Sequence, residues 1–254
     1  MIRHPNFPAE PWRLRETEMR LERLAQTESV FALANGHIGL RGNLDEGEPF
    51  GLSGSYLGGF HEVRPLTYPE SGYAYSETGR TVVNVTNGKV IRLLVEDEPF
   101  DVRYGELRSH ERVLDFRDGV LRRAVEWVSP TGRIVRISST RLVSFTQRAV
   151  AAILYEVEPL DGPVAVVAQS ELVANESLPG PSGDPRDASA VRSALRSEFF
   201  ADRDAEVLLV HSTGTGPTSS SIAIRSFSSP SASRCFTRYR RAPEPNGEQS
   251  RRRG

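Results

Sequence analysis

Residues 111–145 have the sequence ERVLDFRDGVLRRAVEWVSPTGRIVRISSTRLVSF, in which two turn-forming sequences separate three segments rich in strand-forming residues. Asp118-Gly119 lies between Glu111–Arg117 and Val120–Val128. Both residues of an Asp-Gly pair adopt positive φ at little cost, so the pair favours a tight turn between antiparallel strands. The segment therefore predicts a β-hairpin.

The strand after this turn has one predicted buried face. Leu121, Val125 and Trp127 share that face at a period of two, and Arg123 is the exception on it. A second turn at residues 130–132 leads into the third segment, which alternates in the same way. The pattern predicts strands with one apolar face, which Arg123 interrupts.

The rest of the chain also favours strands. Asn87-Gly88 is predicted to be the turn of another hairpin. The other predicted strands are residues 81–86, 89–95, 150–158, 164–173 and 205–211. Only residues 187–200 are compatible with a helix, and no helices alternate with the strands, so βαβ units are not expected. The predicted fold class is all-β, a large antiparallel β-sandwich.

Composition limits where the protein acts. No apolar run approaches the roughly 18–20 residues of a membrane span, and the first twelve residues, MIRHPNFPAEPW, contain no apolar leader. We therefore expect no membrane contact and a cytoplasmic location. A single cysteine, Cys235, allows neither an internal disulfide nor a cysteine-based metal cluster.

Charge divides the chain into two parts. Residues 212–254 carry eight Arg and two Glu, a net charge of +6, whereas residues 1–211 carry 24 basic and 31 acidic residues, a net charge of −7. We assign residues 1–211 to the β-sandwich and predict that the Ser/Arg-rich residues 212–254 form a disordered tail. Two origins of this tail stay open. One is a genuine extension, and the other is out-of-frame translation after a break near His211. The excess of 31 Arg over one Lys is typical of GC-rich coding sequence, in which an out-of-frame stretch can stay open for some distance.

Common catalytic motifs are absent from the sequence. It contains no GxSxG nucleophile elbow, no GxxxxGKS/T phosphate loop, no HExxH zinc motif and no dinucleotide-binding glycine fingerprint after a predicted strand. No two histidines are spaced like the ligands of a metal site. The histidines are His4, His37, His61, His110 and His211. We expect no cofactor and no metal. Nucleic acid is not an expected partner, because the β-domain has no basic stripe with interleaved aromatic residues.

His61 and Glu62 are the one adjacent pair that suits acid–base chemistry. Imidazole titrates near neutral pH, so a general acid or base role is conceivable. The simpler interpretation is a loop histidine that follows a strand.

The most distinctive cluster is ANGHIGLRGN at residues 34–43, whose notable members are Asn35, Gly36, Gly39, Arg41 and Gly42. A structural interpretation is that glycine supplies positive φ or close backbone approach while the arginine pairs with a neighbour. A functional interpretation is a loop that faces a substrate site. Nearby, GSYLGGF at residues 54–60 presents Tyr56 either for stacking on a sugar or as a buried strand aromatic.

Together, ESVFALANGHIGLRGNLDEG at residues 28–47 and GSYLGGFHE at 54–62 resemble the N-terminal domain of glycoside hydrolase family 65. That family includes maltose, trehalose and kojibiose phosphorylases and related α-glucoside hydrolases. The resemblance continues at residues 82–101, 111–145 and 151–177, and it covers roughly residues 10–211.

The resemblance implies a β-sandwich similar to galactose mutarotase, followed in the family by a helical linker and an (α/α)6 barrel. The barrel carries the catalytic glutamate and the phosphate-binding residues. In the phosphorylases, phosphate attacks an α-glucoside with inversion while the glutamate protonates the leaving oxygen, and no cofactor takes part. The implied partners are an α-linked glucose disaccharide and inorganic phosphate.

This chain has no segment that matches the barrel, so the resemblance assigns no catalytic residue here, and neither Glu28 nor Glu62 takes that role. We expect the chain to be inactive alone. We also expect it to self-associate through the face that would pack on the barrel. The alternative is a stand-alone β-sandwich that binds carbohydrate or mediates assembly.

Overall fold

The computed structural model describes residues 7–49, 51, 54–65, 72–74, 78–175, 195–203, 206–213, 221–229 and 234–241. Its strands are β1 (Ala9–Glu10), β2 (Arg13–Glu16), β3 (Leu33–Ala34), β4 (Ile38–Leu40), β5 (Ser55–Leu57), β6 (His61–Pro65), β7 (Thr78–Val82), β8 (Asn87–Val95), β9 (Glu98–Pro99), β10 (Glu106–Asp115), β11 (Val120–Val128), β12 (Ile134–Val143), β13 (Val150–Pro159), β14 (Val166–Val173), β15 (Leu195–Arg203), β16 (Glu206–Thr213), β17 (Ser221–Ser229) and β18 (Arg234–Arg241). The helical segments in this part of the chain are a 3-10 turn at Leu21–Arg23 and α1 (Leu24–Val30). No helix in the described ranges is long and apolar enough to cross a membrane.

One large antiparallel sheet organises the molecule. Its strand order is β1-β2-β10-β11-β12-β13-β18-β17-β16-β15. Smaller sheets have the orders β14-β8-β9, β3-β4-β5 and β6-β7. The hairpin predicted around Asp118-Gly119 is confirmed, since Asp115 pairs with Val120 and Gly119 has a φ of 67°.

The small sheets cover one face of the large sheet, and apolar side chains fill the space between them. One core cluster joins residues of β3–β5, such as Ile38 and Leu57, to residues of β10–β13, such as Leu121. A second cluster joins β8 and the following Phe100 to β11–β13, with Trp127 at its centre. Two packed layers of antiparallel strands make this an all-β sandwich, as predicted.

The Asn87-Gly88 hairpin prediction is wrong. These two residues begin β8 itself, and β8 pairs with β14 rather than with the strand that precedes it. The side chain of Asn87 is buried, and its Oδ1 accepts a hydrogen bond from Lys89 Nζ at 2.9 Å. The pairing of β8 with β14, which local turn preference cannot anticipate, decides the conformation here.

One prediction about the last third of the chain also needs correction. Residues 195–200 belong to strand β15, not to a helix, while residues 187–194 lie outside the described residues. Within the predicted disordered tail, the backbone of β17 and β18 pairs in the large sheet, where β18 joins β13. The alternating SIAI of β17 and the CFTRY of β18 are strand-forming sequences that the Ser/Arg composition concealed.

Candidate functional site

Asn35 holds the turn between β3 and β4. Its Oδ1 accepts hydrogen bonds from the backbone N–H groups of His37 at 2.9 Å and Ile38 at 2.8 Å. Its Nδ2 donates to the carbonyl oxygens of Ser144 at 2.6 Å and Arg148 at 3.0 Å. The side chain therefore closes its own turn and fastens that turn to the β12–β13 loop, which leaves it little capacity for a ligand.

Gly36 supplies the left-handed conformation that this turn requires, with a φ of 79°. Gly42 meets a different requirement, since a methyl group there would lie 2.7 Å from Phe31 Cβ. Its N–H donates to Glu28 O at 2.8 Å. Glycine at position 42 thus permits the backbone to pass directly over the end of α1.

Arg41 lies along the same helix. Its Nη1 donates to Ser29 Oγ and its Nη2 donates to Ala25 O, both at 2.8 Å, and Nη2 lies 3.6 Å from the carboxylate of the fully buried Glu28. A methyl group on Gly54 would collide with the Arg41 side chain. The arginine is therefore enclosed by α1 and the start of β5.

Gly39, Tyr56 and His61 border an open groove of about 400 Å³, which we call the glycine groove. Its other lining residues are Ala34, Gly36, His37, Ile38, Leu57, Gly58, Gly59, Phe60, Arg80 and Val82. Tyr56 is half-buried and pairs with Gly39 across β4 and β5. The groove is apolar, and it presents few hydrogen-bonding groups to a sugar.

His61 and Glu62 do not converge. They are consecutive residues of β6, which pair with Val82 and Thr81 of β7. Successive side chains of a strand project to opposite faces of the sheet, so the two groups do not address one reacting atom.

A row of polar side chains crosses the buried face of the large sheet at one level, and we call it the polar row. Its members are in-register neighbours on five successive strands, and they are Glu16, Arg112, Arg123, Ser139 and Tyr155. All five are buried. On β11 and β12 the row lies between residues of the two apolar core clusters, so charged groups lie in the middle of the sandwich.

The acidic segment, residues 43–47, lies on this row and neutralises it. Asp45 accepts hydrogen bonds from Arg141 Nη2 and Ser139 Oγ, both at 2.5 Å. Glu46 accepts from Arg123 Nη1 at 2.7 Å and from Tyr155 Oη at 2.7 Å. Burial acts to raise the pKa of Asp45, but the charges of Arg141 and Arg123 hold it below its ordinary value.

The other end of the row is a second buried pair. Glu16 Oε2 lies 2.9 Å from Arg112 Nε and 3.1 Å from His110 Nε2. Burial opposes the ionised form of Glu16, yet the hydrogen bond from His110 and the charge of Arg112 lower its pKa. Burial lowers the pKa of His110, and the charges of Arg123 and Arg112 add to that effect against the attraction of Glu16.

Sequence reasoning missed the role of Asp45 and Glu46 and noticed only their partner. Arg123 stood out as an arginine on an otherwise apolar strand face. In the structure its side chain is buried and pairs with an acidic residue. The identity of that partner, 77 residues earlier in the chain, was not evident from local pattern.

Comparison with known proteins agrees with this architecture. Residues 14–249 match the model of the N-terminal domain of glycosyl hydrolase family 65. The chain belongs to glycosyl hydrolase family 65. The family 65 match extends through the segment that we interpreted as a disordered or out-of-frame tail.

Relatives place this family 65 domain within longer proteins. It is 58% identical over 213 residues to an uncharacterized glycosyl hydrolase of Mycobacterium tuberculosis, and the match covers 84% of this chain and 27% of that protein. A maltose phosphorylase of Bacillus subtilis is 31% identical over 182 residues, covering 69% of this chain and 24% of that protein. An α,α-trehalose phosphorylase of Thermoanaerobacter brockii is 38% identical over 161 residues, covering 62% of this chain and 21% of that protein.

A solved structure gives the same fold. A human-microbiome protein assigned as a kojibiose phosphorylase superposes with a TM-score of 0.71 at 20% identity, covering 93% of this chain and 31% of that one. The match thus spans about a fifth to a third of the length of these relatives.

Proposed function

We propose that this chain is the N-terminal domain of an α-glucoside phosphorylase or hydrolase that acts on disaccharides of the maltose, trehalose or kojibiose type. The family match over residues 14–249 supports the assignment. The names of the relatives, which are trehalose, maltose and kojibiose phosphorylases, support the substrate class and inorganic phosphate as its partner.

The same proposal makes the domain a scaffold without catalytic activity of its own. The main supporting observation is that the acidic segment binds to the core of the domain. Both carboxylates of Asp45 and Glu46 are buried and bonded to arginine, serine or tyrosine of the sheet. Catalytic carboxylates must reach the substrate, whereas these two hold the motif against the core.

The family motif residues are accordingly structural in this proposal. Asn35 and Gly36 form the β3–β4 turn, Arg41 and Gly42 join it to α1, and Gly39 pairs with Tyr56 across β4 and β5. Each residue contributes to backbone geometry or packing rather than to chemistry.

The direct test is an activity assay on the whole purified chain. Maltose, trehalose and kojibiose are incubated with the chain, with and without inorganic phosphate, and glucose and glucose 1-phosphate are measured. We expect neither product, from a sample whose cooperative melt establishes that it is folded. Release of either product would contradict the scaffold proposal.

Self-association is a second part of the proposal. Phe199 and Phe200, on the edge strand β15, have 53% and 60% of their surface exposed. Adjacent exposed aromatic residues on a free strand edge favour association with another surface. Light scattering of the chain at increasing concentration is expected to give a rising mass, and a monodisperse monomer at all concentrations would refute this part.

The alternative is a stand-alone carbohydrate-binding module. One observation favours it, a second groove beside the β8–β9–β14 sheet with aromatic, amide and charged side chains. Binding of a saccharide without turnover is compatible with both the scaffold and the module. Turnover by the chain alone is compatible with neither.

A further inference from the structure

A groove of about 350 Å³ lies between the β8–β9–β14 sheet and two loops that flank it, and we call it the two-walled groove. Its lining residues are Glu46, Glu48, Arg92, Leu93, Leu94, Pro99, Phe100, Asp101, Tyr104, Val167, Gln169 and Glu171. It shares no lining residue with the glycine groove. Its volume falls in the range typical of small-molecule sites.

Ion pairs hold one wall of this groove. Arg103 Nη2 lies 2.5 Å from Asp101 Oδ2 and 3.1 Å from Glu48 Oε2, so a single guanidinium joins the 46–48 loop to the 101–104 turn. Oδ1 and Oδ2 of Asp101 also accept a hydrogen bond from Arg103 Nε. The carboxylates on this wall keep further lone pairs with which to accept hydrogen bonds.

The opposite wall combines donors and acceptors. Arg92 Nε lies 3.4 Å from Glu171 Oε2, and Gln169 Nε2 donates to Glu171 Oε1 at 3.2 Å. Arg92 Nη1 also donates to Glu46 O at 3.2 Å, which fixes this wall to the acidic segment. The Gln169 amide therefore stands beside a charged pair at the side of the groove.

The floor is apolar and rigid. Phe100 packs edge-on against Trp127 with ring centroids 5.1 Å apart, and the Trp127 indole N–H donates to Tyr104 O at 2.7 Å. The Tyr104 side chain remains 61% exposed at the rim. The backbone of Tyr104 is therefore held by the core, while its ring stays accessible to a ligand.

The charges decide which ligands the groove accepts. Three carboxylates outside the core, those of Glu48, Asp101 and Glu171, line it, against the guanidinium of Arg92 in the lining and that of Arg103 just behind it. The excess of negative charge disfavours phosphate and sugar phosphates. Among the residues that the structure describes, no three His, Cys, Asp or Glu side chains are placed to hold a metal ion.

We propose that the two-walled groove binds a neutral saccharide of one to three pyranose units. A pyranose has an apolar C–H face, which suits the exposed ring of Tyr104, and a rim of hydroxyl groups, which suits walls of carboxylate, amide and guanidinium. The inference goes beyond the scaffold role and does not require that role to be correct.

Calorimetric titration of the whole chain tests the site. Maltose, trehalose and maltotriose are the probes, and glucose 1-phosphate at equal concentration is the charged comparison. We expect saturable binding of at least one neutral sugar and at least tenfold weaker binding of glucose 1-phosphate.

Two variants locate the binding. Tyr104→Ala keeps the backbone carbonyl that Trp127 uses and is expected to weaken binding about tenfold, through loss of the aromatic contact. Gln169→Ala removes one amide from the opposite wall and is expected to weaken it several-fold. Phe116→Ala is the matched control, because Phe116 is 57% exposed at the other end of β10, and its binding is expected to be unchanged.

The outcomes separate this site from the scaffold proposal. Absence of binding by every neutral sugar, equal binding of glucose 1-phosphate, or binding that ignores both groove variants would overturn the site and leave the scaffold intact. Product formation in the activity assay would instead overturn the scaffold and leave the site intact.

Discussion

Two arginine clusters lie on opposite faces of the same strands and have nearly the same geometry. On the inner face, Arg123 Nη1 lies 2.7 Å from Glu46 Oε2, and on the outer face, Arg136 Nη1 lies 2.7 Å from Glu158 Oε2. The Arg123 side chain is 4% exposed and the Arg136 side chain is 44% exposed. The distances agree, but the surroundings of the two ion pairs do not.

The difference shows why an ion-pair distance says little about stability. Water and salt screen the outer pair, and its long side chains lose conformational freedom in forming it. The inner pair has been removed from water, so each charge depends on its partner. Breaking the inner pair leaves a charge without compensation, whereas breaking the outer pair returns two charges to solvent.

The largest effect is expected from Arg123→Met. The change removes the donor to Glu46 and leaves that carboxylate buried with only Tyr155 as a partner among the contacts described above. We expect the free energy of unfolding to fall by about 3–5 kcal/mol, as for other broken buried pairs. Urea denaturation measures it, and a loss no larger than that of Arg136→Met would remove the basis of the comparison.

A smaller effect is expected from Tyr155→Phe. The change keeps the ring and deletes the hydroxyl that donates to Glu46 at 2.7 Å. Because burial raises the pKa of Tyr155, this hydroxyl stays protonated and able to donate. Loss of a hydrogen bond to a charged group costs about 1.5–3 kcal/mol. Denaturation curves of the two proteins measure it, and an unchanged midpoint would show that Arg123 alone satisfies Glu46.

Acidification should weaken the inner face before the outer face. The pKa of His110 is below its ordinary value of 6.5, mainly through burial, so the unfolded chain binds the proton more readily than the folded chain. This contribution to stability is complete above the unfolded-state pKa and is lost as pH falls through the lower folded-state pKa. The pKa of Glu16 is also below its ordinary value of 4.5, so its contribution to stability is likewise lost as pH falls.

We therefore expect the free energy of unfolding to decrease steadily as pH falls from about 7 to about 4. His110→Gln keeps a donor to Glu16 and is expected to flatten the upper part of this curve. Chemical denaturation at a series of pH values measures both proteins. Parallel curves would show that His110 takes no part in the pH dependence.

The smallest effect is expected from Arg136→Ala. The guanidinium group contacts Glu126 and Glu158 but stays in solvent, so its replacement should leave the denaturation midpoint unchanged at physiological salt. A slight loss at low ionic strength is consistent with weak screening. A large loss at high salt would mean that the outer ion pairs stabilise the sheet as much as the inner ones.

Much of the fold follows from local sequence. The Asp118-Gly119 hairpin and the alternating strands 120–128 and 134–143 were predictable because turn chemistry and period-two burial are properties of neighbouring residues. The failure at Asn87-Gly88 has the opposite cause. There the pairing of β8 with β14 and the hydrogen bond between Asn87 and Ser55 depend on residues that only the folded chain brings together.

The candidate sites were less predictable than the strands. Arg123 stood out as a charged residue on an apolar strand face, yet nothing near it in sequence identified Glu46 as its partner. The two-walled groove draws its residues from five separate segments between residues 46 and 171, so no motif represents it. The seven-residue helix α1 was also missed, since it is short and has few capping features.

The buried pairing of the acidic segment with the sheet has a consequence for synthesis. The segment leaves the ribosome first, and its partners follow 77 residues later at Arg123, 96 residues later at Arg141 and 109 residues later at Tyr155. Contacts this distant in sequence are closed late and slowly. In the nascent chain the two carboxylates are made first and stay hydrated. The arginines of the later strands cannot be buried until the acidic segment packs against them. The last step in assembling the sandwich is therefore expected to be a docking of its first fifty residues onto strands made afterwards.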